Sequence, residues 1–172
     1  MRRIDEAIIN FAIFEDGVEY LGMADATLPE LTSLTQEING AGIGGNIETV
    51  VIGHLAAMSM TLTFRTVTEA AIRLAEPRIH KIDLRSAQQA QNPRTGALEV
   101  NDMKYIVHLR PKKFAPGKLA PASTTDASGE FAVSYYSLWK NGIKRIEVDP
   151  INFVYFMNGK DYLKEVRRAL GK

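Results

Sequence analysis

Met58, Met60, Leu62 and Phe64 alternate with Ser59, Thr61, Thr63 and Arg65, a period of two that fits a half-buried strand and not a helix. The stretch therefore reads as a strand with one dry side and one side of small polar groups. Comparable runs recur along the chain, separated by Gly, Pro, Asn and Asp, which is the pattern of an antiparallel β domain. Residues 7–15 form the first run, closed by Asp16-Gly17. Residues 78–91 and 97–110 flank Asn92-Pro93-Arg94-Thr95-Gly96 and read as two long hairpin strands, the second with Met103, Tyr105, Val107 and Leu109 inward. Asn141-Gly142 suits the two positive φ values of a type I′ turn, a register that sets Trp139 opposite Lys144, Ser137 opposite Ile146 and Tyr135 opposite Val148. Phe131, Val133, Tyr135 and Trp139 alternate with Ala132, Ser134, Tyr136 and Leu138, so both faces carry bulk, as in a sandwich interior or a subunit interface.

Other segments break the rhythm. Across residues 23–52 the apolar positions Leu28, Leu31, Leu34 and Ile38 are loosely spaced, and four glycines follow within residues 39–46, a loop costly to order. Thr66 and Glu69 have the spacing of a capping box, with Val67, Ala71, Leu74 and Ala75 on one face of a short helix that Pro77 ends. Residues 112–128, rich in Pro, Gly, Lys, Ser and Thr, read as an irregular loop. A strand over 151–157 leads to Asn158, which caps a last helix whose buried stripe is Leu163, Val166 and Leu170. The expected fold is mainly β, an antiparallel sandwich or barrel with one packed helix and a short C-terminal helix, and residues 1–172 form one domain.

Composition narrows the function. Lysine and arginine number 21 against 20 aspartates and glutamates, so the overall field favours neither nucleic acid nor membrane. The chain has no cysteine, which excludes disulfides and thiolate metal sites and is compatible with a reducing cytoplasm. Acids at Asp5 and Glu6 interrupt the start where a signal peptide needs apolar residues, and no run approaches a membrane span.

The motifs that suggest chemistry are weak. Residues Gly40 to Gly45 satisfy G-x-G-x-x-G, but that fingerprint needs a buried strand before it and a helix after it, and the β-prone Glu48-Thr49-Val50-Val51-Ile52 follows. A flexible loop is the expectation. His54, His80 and His108 lie on separate elements with no i, i+4 pair and no local acid, and read as partly exposed strand histidines. Asp16, Asp83, Asp102, Glu130, Glu147 and Asp149 flank turns or fall on polar faces, so solvation accounts for them. Arg110, Lys112, Lys113 and Lys118 beside Phe114 read as a solvated loop or a charged subunit contact rather than a phosphate site. No catalytic, cofactor or metal residue is assigned, and the chain is not expected to be an enzyme.

Residues 9–12 with 17–22, residues 26–31, residues 38–45, Gly53-His54 leading into residues 58–62, residues 123–126, and residues 158–163 form an ordered set of segments. Together they resemble the major tail tube proteins of contractile-tailed phages and phage-derived bacteriocins. Their order covers almost the whole chain. The resemblance implies strands that join those of neighbours into a ring-shaped β-barrel, usually of six subunits. The rings stack into a tube inside a contractile sheath, a conduit for DNA or for membrane puncture. It implies sheath, baseplate and tape-measure proteins as partners, transient non-specific DNA passage, no membrane insertion, and a place in a virion tail or bacteriocin particle assembled in the host cytoplasm. On that reading Ser59, Thr61, Thr63 and Arg65 are candidates for the channel wall. Gly40, Gly42, Ile43, Gly44, Gly45 and Asn46 are candidates for a ring-stacking or subunit contact. The alternatives are the secreted tube protein of a type VI secretion system, or a nucleotide-binding enzyme using the Gly40–Gly45 loop.

Overall fold

The computed structural model describes residues 3–20 and 22–172. Met1 and Arg2 at the start, and Leu21 within the tube-like segment 17–22, lie outside the described residues. Strands β1 (Ile4–Glu15), β2 (Val18–Tyr20), β3 (Met23–Thr27), β4 (Ser33–Ile38), β5 (Ile47–Leu55) and β6 (Met58–Phe64) precede helix α1 (Glu69–Leu74). Then come β7 (His80–Gln91), β8 (Leu98–Ala115), β9 (Ala127–Lys140), β10 (Ile143–Asp149), β11 (Val154–Met157), β12 (Lys160–Asp161) and helix α2 (Lys164–Ala169).

Ten strands join one antiparallel sheet whose main path runs β12, β11, β10, β9, β8, β7, β1, β2; β6 attaches to β9 and carries β3. β8 lines one edge of β9 along nearly its whole length, and the other edge is shared. Ala127 to Val133 pair with β6, whereas Tyr136 to Lys140 pair with β10. Between these halves the register against β8 slips by one residue at Ser134, a bulge that bends the strand. The buried positions change phase there, Phe131 and Val133 before it and Tyr136 after it. Tyr135 and Trp139 thus leave the face of Phe131 on which simple alternation set them. Bulk on both faces of the sequence is one strand serving two layers.

The dry side of β6 closes the core. Met58, Met60, Leu62 and Phe64 are at most 4% exposed and pack with Ile13, Ile82, Leu84, Val107 and Leu109 from β1, β7 and β8. Ala71 and Leu74 of α1 join the same cluster. The β7–β8 hairpin pairs in one unbroken register from His80 opposite Leu109 to Gln91 opposite Leu98, and Met103, Tyr105, Val107 and Leu109 point inward as expected.

Other boundaries differ from the sequence reading, each for a local reason. The N-cap of α1 is Thr68, whose hydroxyl accepts from the Ala71 amide at 3.2 Å; Thr66 lies in the bend before it. β8 runs five residues past Arg110, through Pro111, because β9 begins at Ala127 and offers an edge to pair with, so the irregular loop shrinks to 116–126. The Asn141-Gly142 turn has φ of 50° and 72°, and Trp139 faces Lys144 as expected. Beyond that pair Arg145 bulges, so Ser137 faces Glu147 and Tyr136 faces Val148. Residues 151–153 form a turn, and only Val154–Met157 is strand. Asn158 caps no helix: with Gly159 it has positive φ and makes the two-residue turn from β11 to β12. α2 starts after Leu163 without a side-chain cap, and of its expected stripe only Leu163 is buried, with Val166 38% and Leu170 56% exposed.

One glycine is essential to this end of the molecule. At Gly53 φ is +68°, and an added Cβ would lie 2.5 Å from a Leu163 methyl. The bulged end of β5 and the buried residue before α2 meet there with no room between them.

Because the two faces of β6 differ so sharply, Leu62→Ala should cost about 2–5 kcal/mol. Thr61→Ala should stay within about 1 kcal/mol. Urea denaturation of the two variants against the parent checks the assignment.

Candidate assembly surfaces

The polar side of β6 belongs to a wider flat face. Ser59 lies opposite Ala132, Thr61 opposite Glu130 and Thr63 opposite Ser128 on β9, with Thr27 and Asp25 of β3 on the other flank. Ser59 is exposed, Thr61 and Thr63 are half-buried, and Thr63 Oγ1 donates to Asp25 at 3.3 Å. Arg65 lies one residue past the strand. Its amide donates to the Gly22 carbonyl and its carbonyl accepts from the Thr125 amide at 2.9 Å, so its backbone is pinned while its side chain is exposed.

The glycine loop is the tip of an arm. β4 and β5 form their own two-stranded sheet, paired among the described residues with no strand of the larger one, with Gly40, Gly42, Ile43, Gly44, Gly45 and Asn46 all exposed in the connection between them. The loop is followed by a strand and not by a helix, so the context that the dinucleotide fingerprint requires is absent at this position. Leu34, Ile38, Ile47, Val50 and Ile52 are each 43–65% exposed along the arm. A two-stranded ribbon with that much apolar surface is marginal alone in water and calls for a partner.

Two strand edges are also open. β2 pairs with β1 only over Ile13–Glu15, and β3 pairs only with β6 among the described residues. A cleft of 680 Å³ separates the free edges of β1 and β3, with Phe11, Leu28, Leu84 and Tyr105 in its lining. The Ser86 hydroxyl, also in that lining, is buried without a hydrogen-bond partner among the described residues.

The histidines divide. His54 is exposed and His108 half-buried against the Tyr135 ring, whereas His80 is wholly buried, contrary to the partly exposed reading. Its acid was missed as well. His80 Nδ1 meets Glu15 Oε1 at 2.7 Å and Nε2 meets the Glu76 carbonyl at 3.1 Å. Glu15 is buried too; it accepts from the Tyr20 hydroxyl and pairs with Arg78 at 2.9 Å and Arg73 at 3.6 Å. Burial pushes the Glu15 carboxyl up, but hydrogen bonds from Tyr20, His80 and Arg78 together hold it below the usual carboxylate range. Burial and the adjacent carboxylate push the Tyr20 hydroxyl upward. This cluster ties α1 and the turn after it to β1, β2 and β7. It was legible in phase, since Glu15 follows Phe11 and Ile13 on the inward side of β1 and His80 precedes Ile82 and Leu84 on that of β7. Elsewhere Lys112 pairs with Glu130 at 2.7 Å, and no group of three His, Asp or Glu side chains among the described residues is placed to hold a metal ion.

An exposed apolar arm and two open strand edges on a mainly β body define an assembly subunit. The fold is similar to that of a chain in the extended-state sheath–tube complex of PVC, an extracellular contractile injection system. The TM-score is 0.50 at 14% identity, over 75% of this chain and 87% of that one. By sequence the chain is 26% identical over 162 residues to the tail tube protein of Escherichia phage P2, covering 92% of this chain and 93% of the relative. It is 24% identical over 163 residues to the major tail tube protein of Serratia phage KSP20, covering 94% and 93%. The profile of the phage tail tube protein FII family matches residues 5–171, and the chain belongs to that family. Its role is structural, as a tail tube protein.

The Glu15 cluster has a defined pH signature. Because the folded carboxyl titrates below its ordinary value of 4.5, its contribution is complete above that pH and is lost as pH falls through the lowered folded value. Glu15→Ala strips the buried Tyr20 hydroxyl and His80 ring of their acceptor and should cost about 1–3 kcal/mol at neutral pH. It should also flatten the loss of stability below pH 4.5, measured by thermal unfolding across a pH series.

Proposed function

We propose that this chain, as one domain over residues 1–172, assembles with copies of itself into rings, six subunits to a ring, that stack into the inner tube of a contractile tail. The arm carries the reading: a ribbon with large apolar side chains exposed to water along both strands is completed by contact with another subunit, and the chain belongs to a family of tube proteins. Closing a ring pairs the free edges of β1 and β3 and so removes the hazard of unlimited edge-to-edge pairing. The partners are further copies, the surrounding sheath, and the baseplate and tape-measure proteins of the particle. The setting is a virion tail or a headless bacteriocin particle, put together in the host cytoplasm, and the subunit performs no catalysis.

On this reading the face bearing Ser59, Thr61 and Thr63, with Arg65 at its end, lines the channel. Short hydroxyl side chains give a passing polymer few contacts to hold, so DNA slides rather than binds. Gly40, Gly42, Ile43, Gly44, Gly45 and Asn46 make the contact between rings or subunits. Their glycines leave the loop free in the monomer, and the new interface must exceed the entropy lost on ordering it.

Negative-stain electron microscopy of the concentrated protein tests the assembly: stacked rings with a central hole are expected, and monomers at every concentration would overturn it. The channel face has a separate test, since the chain contains no cysteine and one placed there is unique. Ser59→Cys should react with a polyethylene-glycol maleimide of several kilodaltons in the monomer and be shielded in assembled tubes. Equal reaction in both states would put that face on the outside.

A further inference from the structure

The charges of this chain are segregated along the sequence. Residues 4–64 hold nine acids and no lysine or arginine, whereas residues 65–172 hold nineteen lysines and arginines against eleven acids. The arm lies wholly in the acidic part. Glu37 and Glu48 face each other directly across its two strands, where cross-strand neighbours sit about 5 Å apart and like charges repel. Among the described residues only the Asn46 amide reaches the two carboxylates, donating to Glu37, and no cation pairs with either. The isolated chain thus presents an uncompensated double negative charge on an apolar ribbon.

The complementary surface stands at the other end of β6. The arm joins that strand at Ala56–Ala57, just before Met58, whereas Arg65 follows Phe64. Seven residues of strand separate the two ends, about 20 Å. At the Arg65 end the loop between β8 and β9 is pinned through Thr125, whose amide donates to the Arg65 carbonyl and whose carbonyl accepts from the Lys118 amide at 3.0 Å. Residues 103–125 contain no acid. Glu130 pairs with Lys112, and Asp126 accepts from the Thr124 hydroxyl. Arg65, Lys113 and Lys118 are exposed and in no ion pair among the described residues, and Leu119 beside them is 94% exposed. One end thus offers carboxylates on an apolar ribbon, and the other offers cations around an exposed leucine.

We infer that the arm of one copy docks on the Lys113, Lys118 and Leu119 surface of the next, beside the Arg65 end of β6, with Glu37 and Glu48 seated against those lysines. The inference rests on the tube reading and specifies the contact within it. Arm and cation surface are different patches of the same chain, so the contact can repeat head to tail from copy to copy, as growth of a ring or a stack requires. Its strength also depends on salt, because the paired charges lie near the surface.

Charge reversal in two separate chains tests it. One chain carries Glu37→Lys and Glu48→Lys, the other Lys113→Glu and Lys118→Glu. All four residues are exposed, so both chains should keep the parent circular dichroism spectrum and melting temperature. Each alone sets like charges against like at every contact, and its onset concentration for assembly, read by light scattering and electron microscopy, should rise at least tenfold. Mixed one to one, the arm of each meets an opposite charge on the other, and assembly should return to near the parent onset. A reversed chain that assembles like the parent, or a mixture that assembles no better than its components, overturns the contact while leaving the tube reading intact. A parent chain that never assembles overturns both.

Discussion

The bulge at Ser134 is the constraint on which the rest of this architecture hangs. A single long strand, β9, keeps β8 on one edge and divides the other between β6 and β10. Without the extra residue its inward side chains would hold one phase throughout, and Phe131 and Tyr136 could not both be buried. The bulge turns one sheet into two branches that enclose the β6 core, and the C-terminal branch then carries β11, β12 and α2. Residue Leu163, held against Gly53, fastens that branch to the base of the arm.

What the core leaves outside is as consistent as what it encloses. The arm and the free edges of β1 and β3 are each incomplete in an isolated chain, and each is the type of surface that a neighbouring copy completes. The buried Glu15 cluster does different work. It holds α1 and the turn after it against the sheet with the side chains of Glu15, Tyr20, Arg73, Arg78 and His80.

Much of the β framework was readable from period and turn chemistry. The alternation of Met58 to Phe64 assigned both faces of β6, and Asn141-Gly142 located its hairpin, because both signals are local. Departures arose where a distant partner decided the outcome. β8 continues through Pro111 because β9 pairs with it there, and the registers of Tyr135 and Ile146 depend on bulges that no local spacing announces. Asn158-Gly159 was a missed signal of the same type as Asn141-Gly142, a two-residue turn read as a helix cap. The helix cap at Thr68 was displaced by two residues because Thr66 and Thr68 are both competent and the structure selects between them. Among candidate site residues, the sequence located the glycine loop but not its position at the tip of an arm. Glu15 and His80 were overlooked because their meeting spans 65 positions of chain.

The account depends most on the arm being incomplete in the monomer and completed by a second copy. Hydrogen–deuterium exchange of residues 33–55, followed in monomer and in assembled protein, tests this most directly. Fast exchange in the monomer that becomes strongly protected on assembly, while the β6–β9 core changes little, is the predicted result. An arm already protected in the monomer, or one still exchanging freely in the assembly, would contradict it.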